Sequence, residues 1–318
     1  MLDVDRFLAG KPLAITDAGL EELREHILAQ RAALYSQPRE FMAEAIAAIQ
    51  SRMDRRPTGH AVGVIPIRGT ISQHSASDLM SLLFGGTSTE QVSATLREYV
   101  ADDSIGKIVL DIDSPGGSVF GIQELAQEIY KARSAKPIVA IANATAASAA
   151  YWLGSAASEF YITPSGQVGS IGVVAIHQDV SKAADQMGIK TTLISAGKFK
   201  TLGNQFEPLT DDARTRIQAD IDERYGAFVH DVARFRGVTE ARVRNGFGEG
   251  DVVGAKAAKA EGMVDGIATL DQVIIRPARL PQQVDPEPVT APIDTAEAFE
   301  RIARMRLASF MAAAAAGG

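Results

Sequence analysis

The chain of 318 residues contains no cysteine. That absence excludes a disulfide framework, a thiolate nucleophile and any cysteine-ligated metal, and it suits a reducing compartment. Histidine is scarce: only His26, His60, His74, His177 and His230 occur, none in an H-E-x-x-H arrangement and none spaced to share a metal with another. A Walker P-loop, a G-x-G-x-x-G after a strand and a G-x-S-x-G elbow are also missing. Positive charge is not in excess, since 32 Lys and Arg stand against 39 Asp and Glu, and a net charge of -7 lacks the electrostatic footprint of a nucleic-acid binder. No run approaches the roughly 18 consecutive apolar residues of a membrane span. The richest stretch, Pro137 to Ala157, is mostly Ala, Ser and Ile and carries Asn143 and Thr145. The opening MLDVDRFLAGKPLAIT is charged from Asp3 onward and does not read as a signal peptide. The expectation is a soluble cytoplasmic protein.

What is present is the ordinary mix of a globular chain, with 46% hydrophobic and 22% charged residues. Residues 1–59 read as a helical segment, with Leu20, Leu23 and Ile27, then Met42, Ile46 and Ile49, at helical spacing. Residues 60–272 alternate short apolar runs with helix-period segments. Strands are expected over Ala61–Ile67, Lys107–Ile112, Pro137–Ala142, Phe160–Thr163, Val168–Val174 and Lys190–Ile194. Helices are expected over Thr89–Val100, Phe120–Arg133, Ala144–Ala156, Val180–Met187 and Asp211–Arg236, the last capped by Asp211 or Thr210 and closed by Gly237. The alternation and the apolar strands point to an α/β fold with a largely parallel sheet. Residues 273–318 combine a Pro-rich linker with a final amphipathic helix, whose apolar face (Ala298, Ile302, Met305, Leu307, Phe310) can dock on its own domain, a sister subunit or another protein.

Three motifs carry chemical information. Asp111-Ile112-Asp113-Ser114-Pro115-Gly116-Gly117-Ser118 follows an apolar strand, and its glycines let backbone N–H groups face an open crevice where an oxyanion can develop. In Asn143 to Trp152 a strand runs into a helix through tiny side chains with Ser148 among them, and the Ala149 N–H then sits where a helix start favours negative charge. Ile194 to Thr201 offers Lys198 and Lys200. With no histidine suitably placed, a lysine is the natural base for a serine, provided burial lowers its pKa by roughly three units from about 10.4. Each motif alone also fits a plain role as turn, packing helix or solvated surface.

Together, in this order, they resemble the serine–lysine peptidases of the signal peptide peptidase A family and the phage prohead proteases related to it. The resemblance spans about Val62 to Leu270 and includes GVIPIRGTI from Gly63, the DSPGG loop from Asp113, GQVGSIGV from Gly166 and AAKAEGMVD from Ala257. It implies a Clp/crotonase-type parallel sheet of repeated ββα units. It further implies Ser148 as nucleophile and Lys200, in preference to Lys198, as general base. Ser170 would hydrogen-bond the lysine, the N–H groups of Gly117 and Ala149 would form the oxyanion hole, and Gly116 would shape the turn. No cofactor or metal is implied. Partners would be protein or peptide substrates, a homo-oligomeric ring in which some relatives supply the lysine from a neighbouring subunit, and, on the phage branch, capsid and scaffold proteins in the host cytoplasm or assembling procapsid. Many relatives carry Ser-Gly-Gly where this chain has Ser148-Ala149-Ala150. The soluble start and Pro-rich extension favour the phage type over a membrane-anchored signal peptide peptidase. The rival readings are a crotonase-like acyl-CoA enzyme, which would need a crevice carboxylate, and an inert assembly relative, which would be expected to have lost part of the constellation.

Overall fold

The computed structural model describes residues 13–15, 61–74 and 86–277. Of the segment expected as helical over 1–59 only Leu13–Ile15 is described, and it is a strand held by pairing rather than a helix; most of the linker and helix expected over 273–318 lies outside the described residues. In chain order the strands are β1 (Leu13–Ile15), β2 (Ala61–Arg68), β3 (Ile71–Ser72), β4 (Thr87–Ser88), β5 (Ile105–Ser114), β6 (Gly116–Ser118), β7 (Ile138–Ala147), β8 (Glu159–Ile162), β9 (Gln167–Gly169), β10 (Val252–Gly254) and β11 (Gly266–Ile267). The helices are α1 (Thr89–Ala101), α2 (Ile122–Ala132), α3 (Ala149–Ser155), α4 (Ser181–Gln186), α5 (Asp211–Arg236), α6 (Glu240–Arg244), α7 (Ala255–Glu261) and α8 (Leu270–Ile275).

The main sheet grows from apolar runs that can be buried on both faces. β2, β5 and β7 lie parallel, with Val64 beside Val109 and Val109 beside Val139, and Ile108, Leu110, Ile112, Ile138 and Ile141 are fully buried. β7 is longer than its neighbours and serves two of them. Its first half pairs in parallel with β8 (Ala140 opposite Phe160), which pairs with β11, and its last residues pair with β9 (Ala147 opposite Gly169). β10 closes that side antiparallel to β9. A second, small sheet has the order β1-β6-β3-β4. Each early repeat therefore runs as a long strand in the main sheet, one or two short strands in the small one, then a helix: β2, β3, β4, α1 and β5, β6, α2. This is the ββα repetition expected of the Clp/crotonase arrangement.

The helices follow their sequence signals closely. Ser88 caps α1 through the Gln91 N–H, and Thr210 caps α5 through the Ala213 N–H at 3.2 Å. α5 covers Asp211 to Arg236 as expected and stops at Gly237 with φ of 65°. α5 also braces α3: Trp152 stacks on Phe228 with ring centroids 4.4 Å apart, while buried Asp231 accepts from Trp152 Nε1 at 3.1 Å and Gln127 Nε2 at 2.7 Å. Lys107 is buried under α8, its Nζ donating to the carbonyls of Val273, Ile274 and Arg276 at 2.8, 2.9 and 2.8 Å. α8 thus runs across the domain boundary expected at residue 272, with Val273 in a core cluster that includes Val109 and Tyr161.

Three expected elements differ. The helix expected over Ala144–Ala156 begins only at Ala149, because Thr145 to Ala147 are held as strand by β9. The strand expected over Val168–Val174 ends at Gly169, and Lys190–Ile194 is not a strand at all. Past Gly169 only Val174 of that run forms an isolated bridge, and residues 190–194 stay exposed.

Candidate active site

The C-terminal ends of β5, β7 and β9 lie side by side, and each leads into one of the sequence motifs. Loops at such strand ends are where parallel α/β sheets place their chemistry. After β5 the chain turns through Pro115 and Gly116, whose φ of 106° no ordinary residue adopts easily, into β6. Gly116 N–H donates to Ser114 Oγ at 3.1 Å. Gly117 is required on steric grounds, for a Cβ there would lie 2.0 Å from the Ile71 carbonyl oxygen. β6 therefore packs backbone to backbone against β3.

Ser148 ends β7 and starts α3. Its backbone adopts φ 54° and ψ −121°, a conformation that L-residues avoid and that costs on the order of 1–3 kcal/mol. The conformation is held on both sides: Ser148 N–H donates to the Gly169 carbonyl at 2.7 Å, and its own carbonyl accepts from Trp152 N–H at 3.0 Å. Ala149 is the first residue of α3, so its N–H has no partner within the helix. α3 packs against β6, which brings Ser148 and Ala149 to the glycine turn. Ser148 is 1% exposed.

Ser170 follows β9 on the far side of β7 and shares the same φ of 54°, with its N–H donating to the Asp251 carbonyl at 2.7 Å. The structure thus gathers Gly116, Gly117, Ser148, Ala149 and Ser170 around the end of β7. It does not gather the lysines. Lys198 and Lys200 both lie in an exposed stretch, with Lys198 Nζ 4.9 Å from the Phe199 ring centroid and the Lys200 N–H donating to the Gly197 carbonyl. The same stretch exposes large apolar side chains: Ile194 at 95%, Met187 at 69% and Phe199 at 54%. Burial is what a lysine base needs, and the single chain does not supply it.

Beneath the site, charged side chains fasten the two turns. Asp113 Oδ1 accepts from the Thr145 N–H at 3.3 Å and the Asp113 carbonyl accepts from Gly69 N–H at 3.0 Å, so one residue spans β2, β5 and β7. Asp111 pairs with Arg68. Burial pushes the Asp111 carboxyl above its ordinary range, against the pull of the Arg68 guanidinium. The bridging role of Asp113 and the strained backbones at Ser148 and Ser170 were not legible in the sequence. Spacing reports residue types at a turn, not φ. Among the described residues no group of three His, Asp or Glu side chains is placed to hold a metal ion.

Residues 130–284 match the model of peptidase family S49, a range that includes Ser148, Ser170 and Lys200. The chain is 36% identical over 180 residues to the head-tail preconnector protein GP5 of Enterobacteria phage P21, covering 57% of this chain and 36% of that protein. It is 32% identical over 194 residues to capsid assembly protease C of Escherichia phage lambda, covering 59% and 44%. To protease 4 of Salmonella typhi it is 27% identical over 224 residues, covering 70% and 35%. The chain thus spans less than half the length of these three relatives. Both branches of the expected resemblance, phage capsid protease and signal peptide peptidase type, are represented among its relatives.

Proposed function

We propose that this chain, a relative of the S49 peptidases through residues 130–284, is a serine endopeptidase whose nucleophile is Ser148. The observation that carries the reading is the backbone of Ser148. A non-glycine residue fixed at φ 54° between a strand and a helix, beside a glycine turn, is strain stored where chemistry gains from it. In this reading Ser148 Oγ attacks a peptide carbonyl and its proton passes to the neutral amine of Lys200. The tetrahedral oxyanion is met by the N–H groups of Gly117 and Ala149. Lys200 returns the proton to the leaving amine, and the acyl-enzyme is then hydrolysed by water through the same steps. Ser170 orients the amine of Lys200.

The exposure of Lys200 enters this reading as a requirement for assembly. A stretch that shows Met187, Ile194 and Phe199 to solvent is suited to burial against another copy of the chain. That burial would supply the dry surroundings the lysine needs and carry it to Ser148 of its own or a neighbouring subunit. Substrates on this reading are extended segments of proteins. By analogy with relatives named as a head-tail preconnector protein and a capsid assembly protease, scaffold and capsid proteins are the proposed targets.

The test is cleavage of casein by the wild type, Ser148→Ala and Lys200→Ala, followed by mass spectrometry of the fragments. Loss of cutting in both folded variants supports the pair; cutting by Ser148→Ala at the wild-type rate removes it. Mixing the two variants locates the lysine. If it acts across an interface, about a quarter of randomly mixed interfaces join an intact serine to an intact lysine and activity returns. If it acts within one chain, mixing restores nothing.

A further inference from the structure

Strand β1 stands outside the ββα repetition. It runs antiparallel to β6, with Leu13 opposite Ser118, Ala14 opposite Gly117 and Ile15 opposite Gly116. The other side of β6 is taken by β3, through Ile71 and Gly117. Without β1, therefore, β6 would be the outer strand of the small sheet. An outer strand presents a row of unpaired N–H and C=O groups, which captures extended peptides by main-chain hydrogen bonds.

This edge adjoins the proposed chemistry. Gly117, the register partner of Ala14, is the proposed oxyanion donor, and α3, headed by Ser148, packs against the same strand. A peptide whose carbonyl is to reach the Gly117 N–H must bring its backbone alongside Gly117, the position that β1 holds. Ser148 is 1% exposed, so substrate has no route to it until something moves.

We propose that Leu13–Ile15 is a built-in stand-in for substrate: it pairs with the β6 edge and must leave before an extended peptide can bind there. The proposal rests on the reading of Ser148 as a peptidase nucleophile and adds a competitive, intramolecular restraint to it. A restraint of this kind raises the apparent KM and leaves kcat untouched, since chemistry begins only after β1 has departed.

Two experiments test it in the full chain. The absence of native cysteine allows a clean crosslink through Leu13→Cys with Ser118→Cys. Opposed residues of an antiparallel pair have Cα atoms about 4.5–5.5 Å apart, within disulfide reach. The expected result is an intrachain disulfide by mass spectrometry, with the oxidised form cutting casein at least about tenfold more slowly than the same variant after reduction. In the second, Leu13→Pro with Ala14→Pro removes the N–H from consecutive residues, so whichever one faces β6 is lost. The expected result is a KM lowered by about tenfold at unchanged kcat.

Failure to form the intrachain crosslink in a chain that cleaves casein overturns the placement of β1. Equal rates in the oxidised and reduced forms, or an unchanged KM in the proline variant, overturn the restraint. A chain that crosslinks but cleaves nothing in either redox state overturns the peptidase reading, and the restraint with it, while leaving β1 where it is.

Discussion

On the proposed reading, replacing Gly117 with alanine should abolish cleavage while leaving the chain folded. The added methyl would sit 2.0 Å from the Ile71 carbonyl oxygen and 2.6 Å from its nitrogen. Carbon and oxygen rest no closer than about 3.3 Å even in short C–H···O contacts, so β6 has to retreat from β3 by more than about 1 Å. A displacement of that size at a reacting group costs about a hundredfold in rate, and loss of an oxyanion donor costs about a hundred- to a thousandfold, or about 2.7–4 kcal/mol. Overpacking takes about 1–3 kcal/mol from stability, which at about 2–4 °C per kcal/mol lowers Tm by several degrees without unfolding the chain. The matched comparison is Gly63→Ala, where the methyl would lie 2.5 Å from the Tyr99 ring, early in β2 and away from the strand ends that form the site. It should lose stability alone. The assay is kcat/KM on a cleaved peptide beside Tm for both variants. A folded Gly117→Ala with wild-type kcat, or a Gly63→Ala that loses as much activity, would refute the argument.

Ser148→Gly should abolish cleavage and raise Tm by a few degrees, because glycine adopts this backbone freely and relieves about 1–3 kcal/mol of strain; an unchanged or lower Tm would contradict the strain. Lys107→Met strips three carbonyls at the end of α8 of a buried ammonium, and urea unfolding should show a loss of about 2–4 kcal/mol, the lost hydrogen bonds outweighing relief of a buried charge. Asp231→Asn turns an amide N–H toward one of the donors Trp152 Nε1 and Gln127 Nε2 and should cost about 1–3 kcal/mol. Burial raises the Asp231 carboxyl above its ordinary 3.8, against the hydrogen bond from Trp152 and the charges of Arg234 and His230. The folded state thus holds this proton to higher pH than the unfolded state. The group's contribution is full below 3.8 and is lost as pH rises through the folded value. The cost of Asp231→Asn, measured by urea unfolding, should accordingly grow as the pH is lowered from neutrality toward 3.8.

The parts of the fold that could be read from sequence are those whose signals are local or whose partners lie in the same chain. β5 and the first half of β7 announce themselves as apolar runs because both of their faces are buried, and β2 as a run whose alternate residues are buried. α5 carries its own start and stop in Thr210 and Gly237. The stretch from Ala144 to Ala147 misleads because alanine favours helix, yet pairing with Gln167 to Gly169 overrides that small preference. Val174, Ile189 and Ile194 mislead in another way: apolarity reports that a residue wants cover but not from what, and within one chain these remain exposed. At the site, Ser148, the glycine turn and Ser170 follow from their places at adjoining strand ends. Lys200 does not, because the described chain leaves it exposed and away from Ser148's strand end.

The hydrogen bonds around Ser148 form a short chain of their own. Ser148 is fastened to Gly169, the next residue Ser170 is fastened to Asp251, and Asp251 N–H in turn donates to Gly248 at 2.9 Å. The backbone of Ser148, the proposed nucleophile, is therefore braced partly from the tight turn at Gly248–Gly250, where Glu249 also adopts a left-handed φ of 50°. That turn therefore reaches Ser148 through backbone alone, and exchanging Glu249 is expected to shift the Ser148 backbone without altering any of the proposed reacting groups.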